Sequence, residues 1–143
     1  ADYVACVDDF KAFTPDRLKT IQNTKCKGFY SHLDCWKDVK NFEKMMPIMP
    51  RSAVEKIDEE GFVYSVISPF VAAVLAYKMG ATKIVFWGVD LMSHPQVKDQ
   101  LREIALKDLR NLKKELNKRD VEMYVGDDFS YLSTFMDVYQ STP

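Results

Sequence analysis

The sequence of 143 residues lacks a glycine-rich loop, long apolar runs and a large net charge. Its five glycines are dispersed, so the chain contains no glycine-rich turn of the kind that cradles nucleotide phosphates. The longest apolar stretches are far too short to span a bilayer, and no signal peptide is visible. We therefore expect neither a membrane span nor secretion.

Cysteine and clustered positive charge are also scarce. The three cysteines, Cys6, Cys26 and Cys35, match no paired metal-ligand spacing, so we expect three reduced thiols in a cytoplasmic protein. The formal net charge is −1, and the basic residues of 98–119 alternate with acidic ones. This pattern is typical of a solvated helix face, and it argues against nucleic-acid binding as the main activity.

A chain of this length is expected to form one domain, 1–143, with a sizeable core. Apolar runs that are typical of strands alternate along it with helical patterns. The predicted strands are 3–7, 28–30, 62–66 (an edge strand), 83–87 and 121–125. Four helices are predicted: one that starts at Pro15, one over 69–79, one that starts at Pro95 and one that follows Ser130. This alternation predicts an α/β fold with a mostly parallel sheet.

The stretch 33–59 has the least regular pattern. Pro47 and Pro50 exclude regular structure in the run MMPIMP, and the flanking pieces 38–45 and 51–58 fit short helices. Five large apolar residues here are expected in the core, with an adaptable wall for a base or ring as the alternative: Trp36, Phe42, Met45, Met46 and Met49.

The most informative stretch is 68–90, which reads SPFVAAVLAYKMGATKIVFWGVD. Ser68 and Pro69 are typical of a helix start, and Gly80 is typical of a left-handed helix end. A short apolar run of the buried-strand type follows and ends at Gly88 and Asp90. Because open α/β sheets bind ligands beyond the carboxyl ends of their strands, we expect Asp90 to lie at a ligand site.

This stretch resembles a segment found in two related groups of proteins. One is the Campylobacter-type bacterial sialyltransferases, and the other is the Rossmann-like family that includes the archaeal-type 6-hydroxymethylpterin diphosphokinases. In both, a serine-containing loop leads into a small-residue helix and then into a strand ending in Gly-x-Asp. The opening ADYVACVD and the closing VGDDFSYL are similar to an earlier strand and to the last strand of the same families. The resemblance covers about half of the chain.

The resemblance implies a Rossmann-like three-layer α/β sandwich with a mostly parallel sheet of four or five strands. It also implies binding of a nucleotide or nucleotide-sugar. Such families usually begin with a strand and a glycine-rich turn, upstream of the strand that 1–8 resembles. We therefore expect either a truncated chain or one that lacks this βα unit. An uncovered sheet edge or groove would then invite a second copy or a partner chain.

The candidate binding residues lie where a predicted strand ends or a helix begins. Ser68 is expected to contact a phosphate at the helix N-terminus, with a plain capping role as the alternative. Asp8 and Asp9 end the first predicted strand, and one of them is expected to fix a turn through its side chain. Asp8 and Asp90 are expected to hold ribose, a metal or an acceptor, and Gly88 belongs to the same binding set.

The candidate catalytic residues are His94, Asp90 and His32. A histidine can act as general base near neutral pH, and His94 is favoured because its loop follows the central predicted strand. His32 is second, and the simple alternative for each is a surface residue. If the strands are parallel, Asp8, His32, Asp90 and Asp127 should lie along one edge of the sheet, although a solvated turn is the simpler role for Asp127.

The resemblance therefore implies a glycosyltransferase-like, more narrowly sialyltransferase-like, enzyme that uses a nucleotide-sugar donor, and together with the helix start at Ser68 it favours a cytidine or other pyrimidine nucleotide. The alternative is a non-catalytic nucleotide-binding or assembly module, which the missing glycine-rich unit supports. A third interpretation is pyrophosphoryl transfer, which would require Mg²⁺ and paired carboxylates at one site.

Overall fold

The computed structural model describes residues 2–89, 99–128 and 130–140. Within these ranges the chain is α/β, with three α-helices and short strands, and every strand pairing is parallel. The α/β class and the parallel pairing predicted from the sequence are confirmed. The chain divides into two compact units, Ala1–Ala72 and Ala73–Pro143.

The described residues of the first unit, 2–72, form five strands. They are β1 (Tyr3–Ala5), β2 (Gly28–Ser31), β3 (Phe42–Lys44), β4 (Pro47–Ile48) and β5 (Phe62–Val63). Strands β1, β2 and β3 form one sheet in that order, and β4 pairs with β5. The segment 42–48 pairs with β2 through its first half and with β5 through its second half.

Helix α1 (Pro15–Gln22) lies between β1 and β2 and starts where the sequence predicts. The Thr14 hydroxyl accepts a hydrogen bond of 3.4 Å from the backbone N–H of Arg17, and Pro15 fits the first turn because it has no N–H to satisfy. The helix packs its apolar residues against a core centred on Phe29 and Trp36, both fully buried.

The stretch 33–59 corrects several predictions. Strand β3 replaces the short helix predicted over 38–45, and only a 3₁₀ turn, Val54–Lys56, forms within 51–58. Pro47 begins β4, although we predicted no regular structure there. The pairing tolerates this proline because the N–H of Phe62 donates to the carbonyl of Met46, at 3.0 Å. Met46 and Met49 are exposed (65% and 61%), not core residues.

Helix α2 (Ser68–Lys78) begins at the end of the first unit and continues into the second. Gly80 adopts φ +97°, the left-handed conformation predicted for the helix end. Strands β6 (Lys83–Phe86) and β7 (Glu122–Val125) pair in parallel, and α3 (Asp99–Asn117) connects them. The helical period predicts an apolar stripe of Val97, Leu101, Ile104, Ala105, Leu109, Leu112 and Leu116. Of these, Ala105, Leu109, Leu112 and Leu116 are buried, Ile104 is 38% exposed, and Val97 lies outside the described residues. None of the described helices is long and apolar enough to cross a membrane.

The closing segment contains one 3₁₀ turn, Tyr131–Thr134, where the sequence predicts a helix. The predicted cap is confirmed, because the Ser130 hydroxyl accepts a bond of 3.0 Å from the N–H of Leu132. Beyond the turn, Val138 forms a parallel bridge with Val125 at the end of β7. The helix prediction is wrong there because the backbone of this segment bonds to β7 instead. The N–H of Val125 donates to the carbonyl of Asp137, and the N–H of Tyr139 donates to the carbonyl of Val125.

Candidate functional site

The carboxyl ends of β1 and β2 place two predicted site residues at one edge of a sheet. The two strands are parallel neighbours, and Asp8 and His32 follow them. The parallel pairing of β1 and β2 is what the expected common edge of this pair requires, and the expectation itself stays a prediction. Asp127 follows β7 in the second unit. Asp90 and His94 lie outside the described residues.

Ser68 connects the start of α2 to the end of β1. The backbone N–H of Val7 donates to the Ser68 hydroxyl at 3.4 Å. A serine hydroxyl that accepts one hydrogen bond still has its own proton to donate. The first turn of α2 contains no acidic residue, and the first N–H groups of a helix have no partner within it. This arrangement suits an anionic oxygen near Ser68.

The backbone of Asp8 is held by two hydrogen bonds to its carbonyl, although the residue is exposed. Its carbonyl accepts hydrogen bonds from the indole N–H of Trp36, at 2.9 Å, and from the Cys6 thiol, at 3.4 Å. Partial burial of the carboxyl raises the pKa of Asp8, and the negative charge of Asp9 raises it further. Burial also raises the pKa of the Cys6 thiol to about 11, so this cysteine is not a reactive thiolate at neutral pH.

Asp9 takes the turn role that we expected for one of the two aspartates. Its Oδ1 accepts a hydrogen bond of 2.8 Å from the N–H of Lys11 and caps the 3₁₀ turn Phe10–Ala12. Asp8 is therefore the better placed of the pair to meet a ligand. Among the described residues, no group of three or more His, Cys, Asp or Glu side chains is arranged to hold a metal ion.

The His32 ring lies close to two aromatic rings. One belongs to Phe62 in β5, and the other belongs to Tyr64, just after that strand. The centroid of the His32 ring is 6.1 Å from that of Phe62 and 5.9 Å from that of Tyr64. Its Nδ1 is buried and has no hydrogen-bond partner. Burial lowers the pKa of His32, so the imidazole is neutral at pH 7 and can accept a proton.

Sequence reasoning missed Ser52, which lies beside the same tyrosine. Its N–H donates to the carbonyl of Tyr64 at 2.9 Å. Its φ of +65° is in the left-handed region, which serine seldom adopts. Its Oγ is buried and has no hydrogen-bond partner. No sequence motif marks this serine, because both properties arise from its pairing with a segment twelve residues away.

In the second unit, an exposed tryptophan follows the last residue of β6. Trp87 is 66% exposed, and its ring lies so close to Gly126 that a Cβ there would be 2.3 Å from a ring carbon. Gly88, a predicted binding residue, turns the chain after it with φ +72°. The Ser130 hydroxyl donates to the carbonyl of Val89 at 2.5 Å and fixes the chain that leaves β6.

No protein-family model, curated protein or solved structure matches this chain. The resemblance to the sialyltransferase and diphosphokinase families therefore stays a prediction.

Proposed function

We propose that the protein binds a nucleotide or a nucleotide-linked sugar at the carboxyl edge of β1 and β2. The observation that carries the proposal is the hydrogen bond from Val7 to Ser68, which holds the start of α2 against the end of β1. The helix start and the Ser68 hydroxyl would bind a phosphate, because both present donors and the helix dipole favours an anion there.

Asp8 would bind a ribose hydroxyl of the same ligand. Two neighbouring carboxylates, Asp8 and Asp9, repel a phosphate, so this end of the site suits the neutral sugar. A carboxylate accepts hydrogen bonds and a ribose hydroxyl donates them, which makes the pair complementary. Gly88 lies in the second unit and Asp90 lies outside the described residues, so the ligand-binding role assigned to them from the sequence stays a prediction.

The proposed reaction is transfer of the sugar to an acceptor hydroxyl. The acceptor oxygen forms a bond to the transferred sugar carbon, and the bond from that carbon to the nucleotide phosphate oxygen breaks. The nucleotide leaves with that electron pair, and a histidine takes the acceptor's proton. The chain has two histidines, His94 and His32. The neutral ring of His32, with its Nδ1 unpaired, supports a base role for this residue.

A Rossmann-like three-layer sandwich with a sheet of four or five strands is part of the same proposal. Two observations support it: all strand pairings are parallel, and helices or 3₁₀ turns separate most successive strands. Such sheets bind nucleotides beyond the carboxyl ends of their strands, which is where Asp8 and Ser68 lie in the first unit.

Calorimetric titration with cytidine mono-, di- and triphosphate tests the binding proposal. We expect saturable heat with at least one of them. Ser68→Ala should weaken binding by about 1 kcal/mol, or about fivefold, because one hydrogen bond is lost. Thr14→Ala is the matched control, since it removes a hydroxyl at the start of α1 and should lower stability but not affinity.

Absence of heat at millimolar nucleotide, in protein that melts cooperatively, would reject the nucleotide site and favour the non-catalytic assembly module. If transfer activity is found, His94→Ala and His32→Ala identify the base. Loss of the base should lower kcat by about 10²–10⁴. Full activity in the double variant would remove histidine from the reaction and point to Asp90.

A further inference from the structure

The most exposed aromatic ring in the described part of the chain lies just beyond the paired residues of β6 and β7. Trp87 is 66% exposed and follows Phe86, whose register partner is Val125. A Cβ at Gly126 would lie 2.3 Å from a carbon of the Trp87 ring, and the Gly126 N–H donates to the Phe86 carbonyl at 2.8 Å. The glycine backbone thus supports one face of the indole, and the opposite face is open to solvent.

Other aromatic rings of the second unit are covered by cations of the chain itself. The three cation–π pairs of the described residues, with the distance from the cation to the ring centroid, are Arg102–Tyr131 at 4.9 Å, Arg110–Phe135 at 5.2 Å and Lys83–Tyr139 at 5.4 Å. Tryptophan attracts a cation more strongly than tyrosine or phenylalanine does. Within the described ranges, however, no cation lies over the ring of Trp87.

The charge of the segment that supports this ring also favours a cation. The stretch 120–140 contains no lysine or arginine, and its acidic residues are Asp120, Glu122, Asp127, Asp128 and Asp137. Asp127 and Asp128 directly follow the glycine beneath the ring, and Asp128 is exposed. A carboxylate attracts a positive group and repels a phosphate, so the charge beside Trp87 is complementary to a basic ligand.

We propose that this surface docks a basic segment of a partner protein, with an arginine guanidinium stacked on the Trp87 ring and paired with Asp128. Arginine suits the surface better than lysine, because its planar group stacks on an aromatic face and bonds a carboxylate through two parallel N–H groups. Arg102 makes the stacking half of this contact with Tyr131 inside the protein. The proposal is independent of the nucleotide site, which uses neither Trp87 nor Asp128.

The test is an NMR titration of ¹⁵N-labelled protein with acetyl-Gly-Arg-Gly-Arg-Gly-amide at low ionic strength. The chain has two tryptophans, and the buried indole of Trp36, bonded to the Asp8 carbonyl, is the internal reference. We expect the indole N–H resonance of Trp87 to shift saturably while that of Trp36 stays in place. The same peptide with citrulline, which keeps the shape of arginine but has no charge, should bind at least about fivefold more weakly.

Two variants test the two halves of the contact, with affinity read from the backbone amide resonance of Gly126. Trp87→Leu should weaken the arginine peptide about two- to fivefold, the size of one exposed cation–π contact. Asp128→Asn should weaken it about twofold, as expected for a surface ion pair. Met46→Ala is the matched control, because Met46 is exposed to the same extent, 65%, and lies in the other unit. It should leave the affinity unchanged.

Three results would overturn the proposal. They are equal binding of the citrulline and arginine peptides, undiminished binding by Trp87→Leu, and a shift of Trp87 by cytidine at lower concentration than by the arginine peptide. The last result would make the ring a platform for a base instead of a cation. An unchanged Trp36 resonance shows in each variant that the fold is kept, so a loss of binding then reports the surface itself.

Discussion

Ser52 makes the folded state less stable in two ways, and its replacement should show both. We predict that Ser52→Gly raises the free energy of unfolding by about 1.5 kcal/mol. Relief of the left-handed backbone contributes about 1–2 kcal/mol, and the extra freedom of glycine in the unfolded chain removes about 0.5–1 kcal/mol of that gain. Removal of a buried hydroxyl without a partner contributes about 1 kcal/mol more.

Two further variants separate these contributions. Ser52→Ala removes the hydroxyl but keeps the backbone strain, so it should stabilise by about 1 kcal/mol. Asn41→Gly is the control at another left-handed position of the same unit, where φ is +63°. Asparagine tolerates this region, and the Asn41 side chain donates to the carbonyl of Cys26 at 2.6 Å. Asn41→Gly should therefore be destabilising by about 0.5–1 kcal/mol.

Urea denaturation followed by the fluorescence of Trp36 measures these changes, because Trp36 is fully buried in the same unit. The m-value should stay constant, so the shift of the midpoint reports stability. A loss of 1 kcal/mol or more in Ser52→Ala would refute the reasoning, since it would mean that the hydroxyl has a partner in the folded protein.

Two other predictions follow from single side chains. Because burial lowers the pKa of His32, this histidine binds a proton more readily in the unfolded chain than in the folded one. The free energy of unfolding should therefore fall as the pH drops below about 6.5. His32→Gln should reduce this loss when stability is measured as a function of pH. Gly126→Ala should displace the Trp87 ring, because the new Cβ would lie 2.3 Å from a ring carbon. In an NMR spectrum the indole N–H resonance of Trp87 should move, while that of Trp36, which bonds to the Asp8 carbonyl, should stay in place. Two unchanged resonances would contradict this packing.

The sequence predicted those elements whose signals are local. The start of α1 follows from Thr14 and Pro15, and the end of α2 follows from Gly80, because capping depends on residues within one turn. The α3 stripe follows from the helical period, which one segment shows by itself. The predicted strands 28–30, 83–87 and 121–125 end within one residue of β2, β6 and β7, whereas those predicted over 3–7 and 62–66 already end at Ala5 and Val63.

Other features depend on partners far away in the sequence. Strand β4 contains a proline and exists because the N–H of Phe62 bonds to the chain just before Pro47. The last predicted helix fails because Val125 binds the backbone of a segment more than ten residues later. A single sequence does not state which segments pair, so neither result follows from composition or period. Ser52 was missed for this reason, since its conformation is set by the pairing with Tyr64.

The polar groups at the carboxyl edge of the first unit differ in what they can do for a ligand. Asp9 caps a turn, and Ser31 accepts a hydrogen bond from the N–H of Leu33, so both are engaged in holding the fold. Ser52 and His32 each keep a buried atom without a partner. Removing a polar group that has a hydrogen-bond partner lowers the free energy of unfolding, whereas removing a buried polar group without a partner raises it. Variants of Asp9 should therefore lower stability, and those of Ser52 should raise it. This opposite behaviour separates a side chain that stabilises the fold from one that the fold leaves without a hydrogen-bond partner.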